Sequence, residues 1–221
     1  LSKVPLNRSP NLPAIIQLGE IGMLQEDWGM AKTQLERAHE IIGNEDSAVD
    51  ILFKLSQIAL KGTKDMIQAQ RFLETLLKID DHHLLALNHL KKILFQKEDW
   101  PEFLKIAERE ADVTPDPERR SELFYKLALR YETDELINNK NIEFYEKSLT
   151  SGFAYLPSIK KLAKIYWENK DYPHTIRIYK MLVEQDEIKD NKRLLSKLSF
   201  QLGLALDKEG NDNEAAQWFE T

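Results

Sequence analysis

The turn Glu26-Asp27-Trp28 returns as Glu98-Asp99-Trp100 and again as Lys170-Asp171-Tyr172, so that its three aspartates stand 72 residues apart. A recurrence of that length restricts the chain to architectures made by stacking one supersecondary unit. Each Asp is placed to accept from the free backbone N–H groups of a following helix, and Pro101 and Pro173 fall in the first turn, where a missing N–H costs nothing. Between the turns, apolar residues recur at spacings of three and four, as in Leu52, Leu55, Ala59 and Ile159, Leu162, Tyr166, while alternation with period two is scarcely present. The spacing predicts an all-α chain of helices about a dozen residues long, broken by polar turns at 25–27, 61–64, 169–171 and 210–212. Helices joined this closely must lie antiparallel.

Half of the spacing, about 36 residues, is the period of a helix-turn-helix solenoid. That period divides the chain into units near 12–48, 49–83, 84–120, 121–155, 156–195 and 196–221, the last truncated, after an extended leader at 1–11. The leader carries Pro5 and Pro10, and Asn11 is placed to cap the first helix ahead of Pro13. The first unit supplies Ile15, Leu18, Gly19, then Ala31, Leu35, Ala38, with Gly22 where a tyrosine is usual. The fourth supplies Phe124, Leu127, Ala128, Tyr131, then Asn141, Tyr145, Ser148; the fifth Ile159, Leu162, Ala163, Tyr166, then Thr175, Tyr179, Leu182. The sixth supplies Leu202, Gly203, Leu206, Ala215 and Phe219. Units two and three match less well, with Leu55, Ser56, Ala69, Leu73 and with Leu90, Lys91, Phe103, Ala107; Lys91 stands in a slot normally kept small. On these residues the chain resembles the tetratricopeptide repeat family over residues 12 to 221. The resemblance implies a right-handed α-α superhelical solenoid in which each hairpin is stabilised by the next.

Composition narrows the function. With 31 basic against 37 acidic residues the net charge is −6, which disfavours binding nucleic acid through phosphate neutralisation. There is no cysteine, hence no disulfide framework, thiolate metal site or cysteine nucleophile. No run approaches the 18 or so apolar residues of a bilayer span, and the first residues, Leu1, Ser2 and Lys3, lack a signal peptide's apolar stretch. A first residue other than Met suggests a fragment of something larger, and the compartment stays open. The ending Gln217, Trp218, Phe219, Glu220, Thr221 falls within a second helix. It leads us to expect apolar surface there, covered by further repeats or by another copy of the chain.

Chemistry-bearing clusters read as ordinary surface. His82, His83 and His89 near Asp80 and Asp81 offer metal ligands, but without a complete facing set. Asp207, Glu209, Asp212 and Glu214 lack the calcium-loop order. The acid pairs Glu108 with Glu110 and Asp134 with Glu135 show no sign of a shared pocket. There is no Gly-rich phosphate loop, HExxH or serine elbow. No catalysis, cofactor or metal is expected.

In the family the chain resembles, the first helices of successive repeats line a concave groove. The resemblance implies ligand contacts at Ile16, Phe53, Asn88, Tyr125, Lys160 and Phe200 in one slot, and at Glu20, Gln57, Lys92, Leu129, Lys164 and Leu204 in another. Lys54, His89, Lys126, Lys161, Phe95 and Trp167 flank them. From these we take Phe53, Lys54, Asn88, Lys92, Phe95, Tyr125, Lys160, Lys164, Trp167 and Phe200 as candidate partner-binding residues. Their mixture of Lys and aromatic rings suits an extended peptide with carboxylates beside apolar anchors; equally, long Lys stems cover and solvate a helix face. The Lys and Asn pair of the chaperone-binding subclass and the Asn ladder of sugar-transferase repeats are both missing. The expected function is a noncatalytic protein-interaction scaffold, the alternative a structural module for self-assembly or for complex assembly through helix faces and exposed termini.

Overall fold

A computed structural model describes residues 11–132 and 140–220. The leader residues before Asn11, the pair Asp134 and Glu135, and Thr221 lie outside the described residues. Among those described there are thirteen α-helices and no strand. They run α1 (Leu12–Leu24), α2 (Trp28–Ile42), α3 (Val49–Ile58), α4 (Met66–Ile79), α5 (Leu84–Gln96), α6 (Trp100–Val113), α7 (Pro117–Glu132), α8 (Lys140–Thr150), α9 (Leu156–Glu168), α10 (Tyr172–Val183), α11 (Asp186–Lys189), α12 (Lys192–Lys208) and α13 (Asp212–Phe219).

The recurring turn does what its residues dictate. Asp27 Oδ1 accepts from Met30 N at 2.9 Å, Asp99 Oδ1 from Glu102 N at 3.4 Å, and Asp171 Oδ1 from His174 N at 3.3 Å. Asp65 repeats the arrangement with Gln68 N at 2.9 Å. The residue before each cap, Glu26, Lys64, Glu98 or Lys170, has φ between 55° and 58°, and Gly210 holds the same place before Asn211 with φ 77°. One left-handed residue is therefore what reverses the chain within five of the hairpins, and only once is it the residue that adopts this conformation without strain.

The helices form two compact units divided between Val113 and Thr114. In the first, α1/α2, α3/α4 and α5/α6 are antiparallel pairs, α2 packs on α3, and α4 packs on α5. Its core is aliphatic: Ile15, Leu35, Ile51 and Leu55 between the first two pairs, then Leu52, Leu73, Leu76, Leu87 and Leu94 between the next two. In the second unit α7/α8, α9/α10 and α12/α13 pair, and α8 on α9 and α10 on α12 join them. Its core is richer in rings, with Phe124, Phe144, Tyr145, Tyr166 and Tyr179 all buried. The chain is thus built of tandem helix hairpins, each burying its apolar stripe against a neighbour.

Close approach explains the departures from the repeat pattern. A Cβ on Gly19 would fall 2.6 Å from Leu35 Cγ, one on Gly203 2.6 Å from Phe219 Cε1, and one on Gly22 2.8 Å from the backbone nitrogen of Ala31. The tyrosine usual at Gly22 has no room, because α1 and α2 nearly touch there. At the third unit's small slot the structure is different: Lys91 forms an ion pair with Glu110, which is only 3% exposed and also accepts from Asn88 Nδ2 at 3.0 Å. A polar pair replaces small-residue packing, and Glu110 is an interior group. Leu18 differs too: it is half exposed where Leu55, Leu90, Leu127, Leu162 and Leu202 are buried. Leu55 packs on the first hairpin, and no described hairpin precedes Leu18 to cover it.

Candidate functional site

The ten candidate residues fall on first helices, in two groups. On α3 and α5 of the first unit, Phe53 is half-buried with its ring 5.2 Å from that of His83 and 5.4 Å from that of His89. Lys54 is held by Glu20 and Asp50; partial burial pulls its ammonium pKa down, but the two carboxylates outweigh this and raise it. Asn88 is engaged with Glu110. Lys92 and Phe95 remain exposed on the next turns of α5.

In the second unit, Tyr125 of α7 lies among rings, 5.8 Å from Tyr145 and 5.4 Å from Tyr155. Phe200 of α12 stacks obliquely on Phe219 at 5.5 Å, both about half exposed. The remaining three, Lys160, Lys164 and Trp167, share one face of α9 and come together at a cleft of about 330 Å³. Its apolar floor is Tyr179, Leu182, Ile188 and Leu198, and its rim carries Lys160, Lys164 and Glu168. Trp167 stands with its ring 6.1 Å from Tyr179 and 6.5 Å from Tyr172. The volume lies at the small end of the range for ligand sites and accommodates one large side chain.

The two rim cations differ. Lys160 Nζ sits 2.9 Å from Glu187 Oε1, a carboxylate that α11 brings back over the hairpin. Lys164 makes only a 3.8 Å contact with Glu168, and its side chain is 73% exposed. Lys164 is therefore the cation presented to solvent, while Lys160 is already matched.

Sequence reasoning missed α11. Its Ile188 is fully buried and closes one wall of the cleft, and Leu194 and Leu198 of α12 close another. The signal was the 40 residues from Leu156 to Ser196, against 35 to 37 for the other units. The surplus forms the short helix and its connections.

The histidines do not converge. Asp80, Asp81 and His82 cluster on an exposed connection, but His83 Nδ1 accepts from Ala86 N at 3.1 Å to cap α5. His89 lies partly buried, and burial first, then Lys92 and Lys61, lowers its pKa below the ordinary histidine value. In the acidic turn, Glu214 pairs with Lys180 at 2.7 Å and Asp207 is near Lys208 at 3.9 Å. No helix of the described residues is long and apolar enough to cross a membrane.

The molecule is thus a tandem helix-hairpin protein with a ring-walled, lysine-rimmed cleft on its fifth hairpin. No protein-family model matches the chain, and no curated protein matches it. Among solved structures it is similar to a crystal structure of MamA, with 18% identity over 92% of this chain and 91% of that one at a TM-score of 0.44. A MamA fragment from Desulfovibrio magneticus RS-1 shares 18% identity over 80% of this chain and 98% of that one, with a TM-score of 0.46. Pseudomonas aeruginosa PilF shares 20% identity over 94% and 88%, with a TM-score of 0.41. At these values the assignment of hairpin type rests on the chain's own packing, not on the likeness.

Proposed function

We propose that this chain is a noncatalytic protein-interaction scaffold that holds a segment of a partner protein in the cleft of its fifth hairpin. The observation that carries the reading is the pairing of an apolar floor, Tyr179, Leu182, Ile188 and Leu198, with a rim cation, Lys164, that is 73% exposed and meets Glu168 only at 3.8 Å. A large apolar side chain filling the floor removes its area from water at roughly 25 cal/mol per Å². A neighbouring Asp or Glu meets Lys164, adding specificity more than affinity. Trp167, stiff and broad, supplies contact area at small entropy cost.

The test is selection of a displayed library of random twelve-residue peptides on the full chain. The expected consensus places Asp or Glu beside Phe, Trp or Leu, and binding of the selected peptides is lost in Trp167→Ala and reduced at least tenfold in Lys164→Glu. A consensus free of acidic residues, or peptides that both variants still bind, would refute the reading.

The alternative, self-assembly, is favoured by a separate feature, the half-exposed Phe200 and Phe219 pair on the last hairpin. Sedimentation velocity across a concentration series separates the two, since a persistent monomer excludes association through these rings.

A further inference from the structure

The 72-residue register sets α4, α5 and α6 of the first unit against α8, α9 and α10 of the second, and at one place the two differ by a ring. In the second unit Tyr166 of α9 reaches both neighbouring second helices: its hydroxyl donates to Glu146 of α8 at 2.7 Å, and its ring stacks on His174 of α10 at 4.9 Å with an interplanar angle of 19°. Counting back, Glu146 falls on Glu74, Tyr166 on Leu94, His174 on Glu102 and Arg177 on Lys105. The acid is kept, but the ring that bonds it is not.

In the first unit a hollow of about 300 Å³ lies at these positions, between α4 and α6. Leu77, Leu90, Leu94 and Ile106 form its floor, none more than 6% exposed. Its walls are ordered by sign, with Glu74 and Glu102 nearer the N-terminal ends of the two helices and Lys78 and Arg109 nearer the C-terminal ends. The helical rise separates acid from cation by about 6 Å along α4 and about 10 Å along α6. All four charged groups stand on second helices, so the hollow shares no residue with the candidate partner-binding positions.

Two of the four are already engaged. Glu102 pairs with Lys105, and Arg109 Nη2 donates to the Asp81 carbonyl at 3.1 Å. Glu74 is exposed and, among the described residues, accepts only from Gln70 Nε2 at 2.7 Å, where its counterpart Glu146 holds both Tyr166 and Arg177. Lys78 is exposed and pairs with no carboxylate of a described residue.

We infer that this hollow takes a tyrosine side chain of a partner protein, lying lengthwise with its hydroxyl donating to Glu74 and with a carboxylate next to that tyrosine meeting Lys78 and Arg109. A phenol brings the ring and the O–H that the second unit supplies from its own Tyr166, and the flanking acid answers a cation the chain leaves unpaired. A pocket whose acceptor expects a hydroxyl discriminates strongly against the same ring without one. The site shares no residue with the Trp167 cleft, and neither reading depends on the other.

The test titrates N-acetyl-L-tyrosine, whose own carboxylate stands for the flanking acid, into the full chain labelled with ¹³C at isoleucine methyl groups and ¹⁵N at tryptophan. The Ile106 δ1 methyl reports the hollow through the ring current of a bound phenol, and the Trp167 indole N–H reports the α9 cleft. A saturable Ile106 shift is expected, with binding about tenfold weaker for N-acetyl-L-phenylalanine, which has no hydroxyl for the charged acceptor, and several-fold weaker for N-acetyl-L-tyrosinamide, which has no carboxylate. Glu74→Met, at an exposed position, should erase the preference for tyrosine over phenylalanine, and Lys78→Met should reduce that for acid over amide. Leu94→Tyr, which restores the ring of the second unit, should block the Ile106 response; if that variant does not fold, Glu74→Met decides. An Ile106 methyl that stays in place, a phenylalanine or amide derivative that binds as well as N-acetyl-L-tyrosine, or a tyrosine preference that survives Glu74→Met would overturn the inference. A shift at Trp167 alone overturns it and leaves the proposed function standing, whereas a shift at Ile106 alone upholds it and leaves the α9 cleft to its own test.

Discussion

Replacing Lys91 by Met tests whether the third hairpin is held by a polar pair where its relatives in the chain use small residues. Glu110 is 3% exposed, so its carboxylate has almost no water to fall back on when the ammonium is removed. Severing a buried pair from one side costs about 3 to 5 kcal/mol. Here the Lys91 side chain is one-fifth exposed and Asn88 Nδ2 still donates to Glu110 at 3.0 Å, so a loss of about 2 kcal/mol is expected. With a urea slope of roughly 2 kcal/mol per M, the midpoint of the first unit falls by about 1 M. The companion change Lys91→Met with Glu110→Leu substitutes apolar groups of similar volume for both partners and should recover most of that loss. Urea unfolding followed by tryptophan fluorescence, with circular dichroism in parallel, reads both. A single variant as stable as the parent, or a double variant that loses the sum of both single losses, would show that Glu110 is not held in this way.

Two further outcomes follow from local geometry. Glu26, Glu98 and Lys170 adopt φ of 57° to 58°, a conformation costing a non-glycine residue about 1 kcal/mol; replacement of each by Gly should raise unfolding stability by about 0.5 kcal/mol after the added freedom of the unfolded chain is deducted, and a fall in the urea midpoint would contradict the turn geometry. His89 has a pKa lowered chiefly by burial and then by Lys92 and Lys61, so the unfolded chain binds its proton first as pH falls through the ordinary value of 6.5. Stability contributed by neutral His89 is therefore full above that pH and lost on acidification towards the folded value. His89→Gln should flatten this part of the stability-against-pH curve, and an unchanged slope would refute the assignment.

Most of the architecture could be read from residues. Asp27, Asp99 and Asp171 each mark a helix start because a carboxylate satisfies N–H groups that nothing else in the turn can. Spacing of three and four fixed which faces are buried, and the small slots at Gly19, Ala128 and Gly203 pack as such. The site was legible only in part. Slot positions brought Lys160, Lys164 and Trp167 to one cleft, but a slot says nothing about which neighbouring carboxylate has already taken a cation. Lys54, Asn88 and Lys160 are spoken for by Glu20, Glu110 and Glu187, all far along the chain or on an inserted segment. Such pairings depend on side-chain reach across helices, for which helical periodicity carries no signal.

In the second unit, Glu132 of α7 accepts from Tyr145 of α8 at 2.7 Å and meets Lys161 of α9, while Glu146 of α8 accepts from Tyr166 of α9 at 2.7 Å and meets Arg177 of α10. Each strut spans three successive helices, and the two overlap on α8 and α9. No one of these rods can peel away without stripping bonds from its neighbours, so the polar struts tie the fraying of each helix from α7 to α10 to that of the next.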